Sequence, residues 1–168
     1  YKYFYVSLLA ATFRLQGSCS LYVSYGTVNL ADIGAHVAAD PGPTLLMPAI
    51  GFLMATFMVK SAVYPFHSWQ PDVYAASPTA VAAVLSSVVA KVGVYGFIRM
   101  TTLLFVAQAP TIRAILIVLG VMGVVYGGLA ALGTRHLKRM MAYSTLAQIG
   151  FILVAIGWGS PAALVAAL

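Results

Sequence analysis

The sequence predicts an all-α, polytopic membrane protein, a helical bundle of about five transmembrane elements. Three observations predict this class. Of the 168 residues, 62% are hydrophobic and only 7% are charged, whereas roughly a quarter of a soluble domain is charged. Mean hydropathy is +0.97. The charges gather in short clusters between apolar runs that are long enough to cross the ~30 Å hydrocarbon core of a lipid bilayer. We expect residues 1–168 to form a single transmembrane domain.

The first predicted element runs from about Tyr3 to Tyr25, and it is interrupted by Arg14 and Gln16, which the sequence does not explain. A polar loop, GTVNLADIGAHVAADPGP, follows it. This loop closes with Pro41, Gly42 and Pro43. Because clustered proline and glycine end one element and start another, we place a boundary there.

The second hydrophobic stretch, Thr44 to Ala76, is too long for one straight span. As a single helix it would measure roughly 50 Å, well above the thickness of the hydrocarbon core. Pro65 and Pro71 predict the interruption, since proline removes a backbone donor and clashes with the preceding turn. We therefore predict a proline-broken helix that unwinds just after Lys60.

Three further spans complete the predicted bundle. The third begins at Ser77 and Pro78 and ends near Phe105. The fourth covers Ala114 to Leu132, where the small-residue pair Gly123 and Gly127 indicates close helix packing. The fifth covers about Met141 to Trp158.

Lys60 and Lys91 lie inside apolar stretches that contain no acidic residue. An ionisable group in the membrane is costly and indicates a functional site. Lys91 lies roughly 20 Å beyond Pro78 along a helix, near mid-bilayer, which favours a functional role. For Lys60 two readings stay open, a lysine that lines a hydrated ion path and a lysine that reaches the interface beside a proline kink.

The basic cluster from Arg135 to Arg139 is expected to be cytoplasmic. Alternating spans then put Lys2 and the Ala75 to Pro78 turn on the same side, and the acidic loop on the other. The net charge of +6 does not indicate nucleic-acid binding, because the positive charges flank apolar runs instead of forming a basic surface. We expect an integral protein of a bacterial or archaeal cell membrane. The single Cys19 excludes an internal disulfide and is expected to be a buried, small apolar residue.

Two blocks resemble the antiporter-like membrane subunits shared by respiratory complex I, Mrp-type cation/proton antiporters and membrane-bound hydrogenases. The first block is KSAVYPFHSWQPDVYAASPTAVAAVLSSVVAKVGVYGFIRM. Its matching residues are Lys60, Pro65, His67, Trp69, Pro71, Asp72, Ala76, Pro78, Thr79, Val81, Lys91, Gly93, Tyr95 and Arg99. The second block is HLKRMMAYSTLAQIGF. Its matching residues are Lys138, Arg139, Ala142, Tyr143, Ser144, Gln148, Gly150 and Phe151. Two separated blocks in the right order make the resemblance specific.

The resemblance implies a proton-translocating subunit of roughly fourteen helices, of which this chain is expected to be a central fragment. Lys60 matches the lysine of the family's discontinuous helix, whose glutamate partner belongs to a preceding helix. Lys91 matches a lysine that passes protons along a hydrated axis. His67 is expected either to relay protons or, the reading we favour, to bond free carbonyls of the break. Tyr143, Ser144 and Gln148 are expected to line water or to hold helices together.

The expected function is that of a proton-translocating subunit in a multisubunit cation (Na⁺)/H⁺ antiporter. Leu85 replaces a histidine of the largest antiporter-like subunits, which favours the smaller kind, the D-type subunit of Mrp antiporters or its complex I counterpart. The runs VAKVGVYGFIRM and GTVNLADI favour the Mrp type. The alternative is the proton-pumping subunit of NADH:quinone oxidoreductase or of a membrane-bound hydrogenase. A third reading is a structural scaffold whose lysines are paired with other helices. The expected partners are other membrane subunits, protons and, for the antiporter, Na⁺.

The sequence has one cysteine and no glycine-rich nucleotide loop. We therefore predict that this chain holds no cofactor and no metal. We therefore expect no redox chemistry in this chain. It would belong to an enzyme only as the translocating subunit of a quinone oxidoreductase.

Overall fold

The computed structural model describes residues 1–40, 42 and 44–167. Pro41 and Pro43, which were expected to close the first loop, lie outside the described residues. Within the described part of the chain the secondary structure is helical, as predicted. In chain order the α-helices are α1 Lys2–Tyr25, α2 Leu30–Ala39, α3 Leu46–Lys60, α4 Trp69–Ala76, α5 Thr79–Leu104, α6 Ala109–Gly133, α7 Leu137–Trp158 and α8 Pro161–Ala167.

Three of these helices, α5, α6 and α7, are long and apolar enough to cross a membrane. Helix α1 has a comparable length of 24 residues, but its serines, Arg14 and Gln16 make it less apolar. Helix α3 has 15 residues, fewer than the ~20 that one crossing needs, and it continues across an interruption into α4. The chain is thus an integral membrane protein, and the predicted discontinuous element is present.

The structure differs from the prediction in the first polar loop, where residues Leu30–Ala39 form helix α2. Asn29 caps this helix, because its side-chain oxygen accepts a hydrogen bond from the backbone N–H of Ala31 at 3.2 Å. Ile33 and Val37, one turn apart, are buried. They lie on the side of α2 that packs against the end of α5, where Gly34 approaches the carbonyl of Leu103. The prediction of a loop was wrong here because the segment is apolar apart from Asp32 and His36, and Asn29 caps it as a helix.

Two helix starts also differ from those predicted. Helix α6 begins at Ala109 with Pro110 in its first turn, a position where the missing proline N–H would be unpaired in any case. Helix α7 begins at Leu137, so Lys138 and Arg139 lie in its first turn instead of preceding it. Cys19 is exposed on α1, and the expectation that it would be buried was wrong.

Helices α6 and α7 form an antiparallel pair whose backbones meet along a seam of glycines. A Cβ atom added to Gly150 would lie 2.6 Å from the carbonyl oxygen of Gly120. One added to Gly127 would lie 2.9 Å from the carbonyl oxygen of Tyr143. A Cβ added to Gly123, the other member of the predicted small-residue pair, would make only ordinary contacts with α7, the shortest at 3.8 Å. Glycine is required where main chain touches main chain, because any side chain would force the helices apart.

We predict that Gly150→Ala lowers the thermal stability of the protein in detergent by several degrees. The added methyl group collides with the backbone of α6, and overpacking of this kind costs about 1–3 kcal/mol. Gly128→Ala is the matched control, since a Cβ at Gly128 meets no atom within 4 Å. The measurement is the unfolding midpoint of both variants, and equal midpoints would contradict a tight glycine seam.

Candidate functional site

The packing of α1 against α3 sets the position of Lys60. Gly17 of α1 lies against Leu53 and the carbonyl of Ala49. Further along α3, the Thr56 hydroxyl donates a hydrogen bond to the carbonyl oxygen of Ala10 at 3.3 Å. Since the helices run in opposite directions, each turn forward on α3 meets a turn backward on α1. The next turn after Thr56 therefore places Lys60 opposite α1 residues that precede Ala10.

Lys60 is the last residue of α3, and its amine donates a hydrogen bond to the Ser7 hydroxyl of α1 at 3.4 Å. Both residues are half-buried. The C-terminal end of a helix carries a partial negative charge, which favours a cation there. Among the described residues no acidic side chain forms an ion pair with Lys60. Sequence reasoning missed Ser7, because a single serine in an apolar helix carries no signal until its neighbour is known.

Helix α3 ends through hydrogen bonds of its own backbone. The N–H of Val63 donates to the carbonyl of Met58 at 3.0 Å, and the N–H of Ala62 donates to the carbonyl of Val59 at 3.3 Å. Ala62 adopts a left-handed φ of 51°. This pairing is the Schellman arrangement, usually completed by glycine. The helix therefore terminates at Lys60, before either proline is reached.

Trp69, the first residue of α4, ties the two halves of the broken element together. Its buried indole N–H donates a hydrogen bond to the carbonyl of Val59 at 3.1 Å. Its ring also packs against Tyr3 of α1, with ring centroids 5.4 Å apart. Pro65 lies in the interruption, after a cis Tyr64–Pro65 peptide bond. Pro71 lies in the first turn of α4, where it opens the second half of the element.

His67 lies in the interruption within a cluster of tyrosines. Its ring stacks on Tyr64 at 5.5 Å and lies 4.5 Å from the ring of Tyr126 on α6. Tyr126 in turn meets Tyr143 of α7 edge-on at 6.4 Å. The Nδ1 atom of His67 is buried and has no hydrogen-bond partner among the described residues. The link to α6 was missed because Tyr126 stands in an apolar span that matches no motif.

Lys91 lies on an exposed face of α5, directly after a π-helical segment at Leu85–Val89. Its amine donates a hydrogen bond to the carbonyl of Ser86 at 3.0 Å. π-Helical turns inside an α-helix are rare and frequently occur at functional sites. This segment lies immediately before the second lysine of the predicted site.

The buried face of α5 packs onto the end of α3 beside Lys60. A Cβ atom on Gly93 would collide with the side chain of Ser61 and would lie 2.9 Å from the carbonyl of Phe57. Gly96 meets the ring of Phe57 in the same way. Lys60 and Lys91 thus belong to two helices in direct contact. The structure joins each amine to a different partner, and the two are not hydrogen-bonded to each other.

The three polar residues predicted on α7 do not share one environment. Tyr143 is half-buried against Tyr126 of α6. Ser144 is half-buried, and Gln148 is exposed. Only Tyr143 therefore contributes to the cluster around His67.

Charged residues at one end of the bundle join α1, α4 and α7. Asp72 of α4 pairs with Lys2 of α1 and with Arg139 of α7, the latter at 3.4 Å. The Lys138 amine donates a hydrogen bond to the carbonyl of Ser77 at 2.9 Å. Lys2, the turn that precedes α5 and the basic cluster therefore lie at the same end of the bundle. Helix α2 lies at the other end, against the last turn of α5.

A family model described as "NADH:quinone oxidoreductase/Mrp antiporter, TM" matches residues 1–168. The chain belongs to this family. The resemblance read from the two sequence blocks is confirmed, and so is the antiporter-like fold.

Curated members of the family include NADH-quinone oxidoreductase subunit N of Desulforudis audaxviator, 34% identical over 99% of this chain and 34% of its own length. NAD(P)H-quinone oxidoreductase subunit 2 of Prochlorococcus marinus is 36% identical over 99% of this chain and 33% of its own length. The chain therefore spans about a third of the curated relatives it matches.

Two solved structures share the fold. A chain of the Mrp complex from Dietzia sp. superimposes with a TM-score of 0.90 at 28% identity, over 99% of this chain and 30% of its own. A chain of the archaeal membrane-bound sulfane sulfur reductase superimposes with a TM-score of 0.90 at 30% identity, over 99% of this chain and 29% of its own.

We predict that Trp69→Phe destabilises the protein, because the Val59 carbonyl loses a buried hydrogen bond while most of the ring packing is kept. The expected loss is about 1 kcal/mol, seen as a drop of a few degrees in the unfolding midpoint in detergent. Trp158→Phe is the control, since Trp158 is 75% exposed. A midpoint for Trp69→Phe as high as that of the control would contradict the role assigned to the indole N–H.

Proposed function

We propose that this chain is the central part of a proton-translocating membrane subunit, in which Lys60 and Lys91 carry protons between water-filled sections of the path. The observation that carries the proposal is the position of Lys60. It stands at the end of an interrupted helix, half-buried, with a hydroxyl group as its hydrogen-bond partner and no acidic partner among the described residues.

The geometry supports a lysine that exchanges protons. The backbone of the interruption is closed by Ala62, Val63 and Trp69, so Lys60 is not needed to satisfy freed carbonyl groups. Its amine is therefore free to change partners. A carboxylate on a preceding helix would favour the protonated amine, and withdrawal of that carboxylate would favour proton release.

Lys91 is the proposed next carrier, because α5 contacts the end of α3 beside Lys60. We assign His67 an accessory role. The rings of Tyr64 and Tyr126 pack against the imidazole of His67 and support a fixed position for it. Its Nδ1 atom is buried without a hydrogen-bond partner among the described residues, which supports contact with water. Tyr143 holds helices together through Tyr126, and Ser144 and Gln148 are proposed to line water.

Two energy sources are proposed, and a specific observation favours each. Cation (Na⁺)/H⁺ antiport is favoured by the runs VAKVGVYGFIRM and GTVNLADI, and the superposition on the Mrp complex is compatible with it. Redox-driven pumping is favoured by the 34% and 36% identities to quinone oxidoreductase subunits. In either case other membrane subunits are the partners, and we place Lys2 and the Arg135 to Arg139 cluster on the cytoplasmic side.

We predict that Lys60→Ala and Lys91→Ala each lower proton flux at least about tenfold when the full-length protein is reconstituted in vesicles within its complex. Lys60→Arg is expected to fail as well, because a guanidinium keeps the charge but does not release its proton. Lys138→Ala is the matched control, since its amine bonds a carbonyl at the bundle end. Normal flux in both alanine variants at positions 60 and 91 would refute the proposed path.

The same vesicles distinguish the two energy sources. A sodium gradient that drives proton flux without NADH identifies an antiporter. Flux that requires NADH and a quinone, and that is indifferent to sodium, identifies a redox-driven pump.

A further inference from the structure

We propose that Ser7 is the positioning residue for Lys60: its hydroxyl holds the lysine amine toward α1 at the interruption of the broken helix. This inference rests on the proposed proton path and names a residue of that path. The contact itself is the hydrogen bond from the Lys60 amine to the Ser7 hydroxyl at 3.4 Å.

The position of Ser7 is set by the helix pair and not by the lysine alone. Gly17 against Leu53 and Ala10 against Thr56 fix the register of α1 and α3. Ala10 is fully buried and Thr56 is 4% exposed, so this part of the interface is closely packed. Beyond Lys60, Tyr3 packs on Trp69. Contacts on both sides therefore keep Ser7 opposite the end of α3.

A hydroxyl suits a group that changes its protonation state. It accepts a hydrogen bond from a protonated amine, and it can donate one to the neutral amine after the proton has left. A carboxylate fixed at the same place would favour the charged amine more strongly than a hydroxyl does. Ser7 therefore keeps Lys60 in place without trapping its proton.

Titratable and charged groups on the elements packed against α3 are engaged elsewhere or exposed. On α1, Lys2 pairs with Asp72 of α4, and Arg14 is exposed. On α5, Lys91 bonds the Ser86 carbonyl and Arg99 bonds the Tyr95 hydroxyl. In the interruption, His67 packs between tyrosines. Further groups on these elements are Tyr3, Tyr5, Tyr22, Tyr25, Cys19, Tyr64 and Tyr74. Among the described residues, Ser7 is the side chain that the structure pairs with the Lys60 amine.

The test compares Ser7→Ala, Ser7→Thr and the control Thr12→Val in the full-length protein within its complex. Thr12 bonds a carbonyl of its own helix, that of Leu9, at 2.8 Å, so its loss removes an α1 hydroxyl that does not face Lys60. Two quantities are measured in vesicles. One is the pH of half-maximal proton flux. The other is the pH at which a small reagent acylates the Lys60 amine at half of the maximal rate. This rate is measured by mass spectrometry with Lys138 as the internal reference.

Ser7→Ala is expected to move both values to lower pH by roughly half to one unit, because the protonated amine loses its acceptor and releases its proton more readily. Ser7→Thr, which restores a hydroxyl, and Thr12→Val are expected to keep the wild-type values. If Ser7→Ala does not assemble, Ser7→Cys takes its place, because cysteine is similar in size to serine and is only a weak hydrogen-bonding group. The same shifts to lower pH are expected of it. Unshifted values in the variant that lacks the hydroxyl would overturn the inference.

Lys60→Ala separates this inference from the function on which it rests. An inactive Lys60→Ala together with an unshifted Ser7→Ala would refute the role of Ser7 alone. Normal flux in both Lys60→Ala and Lys91→Ala would refute the proton path, whatever the acylation of Lys60 shows.

Discussion

Every backbone N–H and C=O group at membrane depth needs a hydrogen-bond partner in the protein or in water, and the interruption after Lys60 is where this constraint is hardest to meet. The structure meets it locally, through Ala62, Val63 and the indole of Trp69. Because these residues satisfy the backbone carbonyls at the break, the Lys60 amine at the end of α3 is not needed as their donor. The negative end of the helix and the nearby hydroxyl both favour a cation there.

The helices around this end differ in how they are held. Helix α1 meets α3 through small residues and two interhelical hydrogen bonds, and α5 meets it through Gly93 and Gly96. Both lysines therefore stand on helices that approach each other closely, although they use different hydrogen-bond partners. The proposed proton path needs such an arrangement, because carriers that are too far apart exchange no protons and carriers locked together release none.

The sequence was sufficient for the membrane class, for the interruption and for the family, because these depend on composition, helix length and proline chemistry. It was not sufficient for contacts between helices. Ser7 and Tyr126 acquired a role only from the register of α1 on α3 and from the approach of α6 to His67, and neither residue belongs to a local pattern. Helix α2 was missed because Ile33 and Val37 form a stripe of only two residues. Pro71 was read as part of the break, whereas the chain uses it to start the next helix.

The glycine seam between α6 and α7 also limits how this part of the chain can vary in length. Gly120 and Gly127 on one helix, and Gly150 and Gly157 on the other, face backbone atoms of the opposite helix at fixed positions. Inserting or deleting one residue between two such glycines would turn the later one by about 100° around the helix axis. A side chain would then take its place against the opposing backbone. Single-residue insertions and deletions are therefore expected to be excluded from the interior of these two helices.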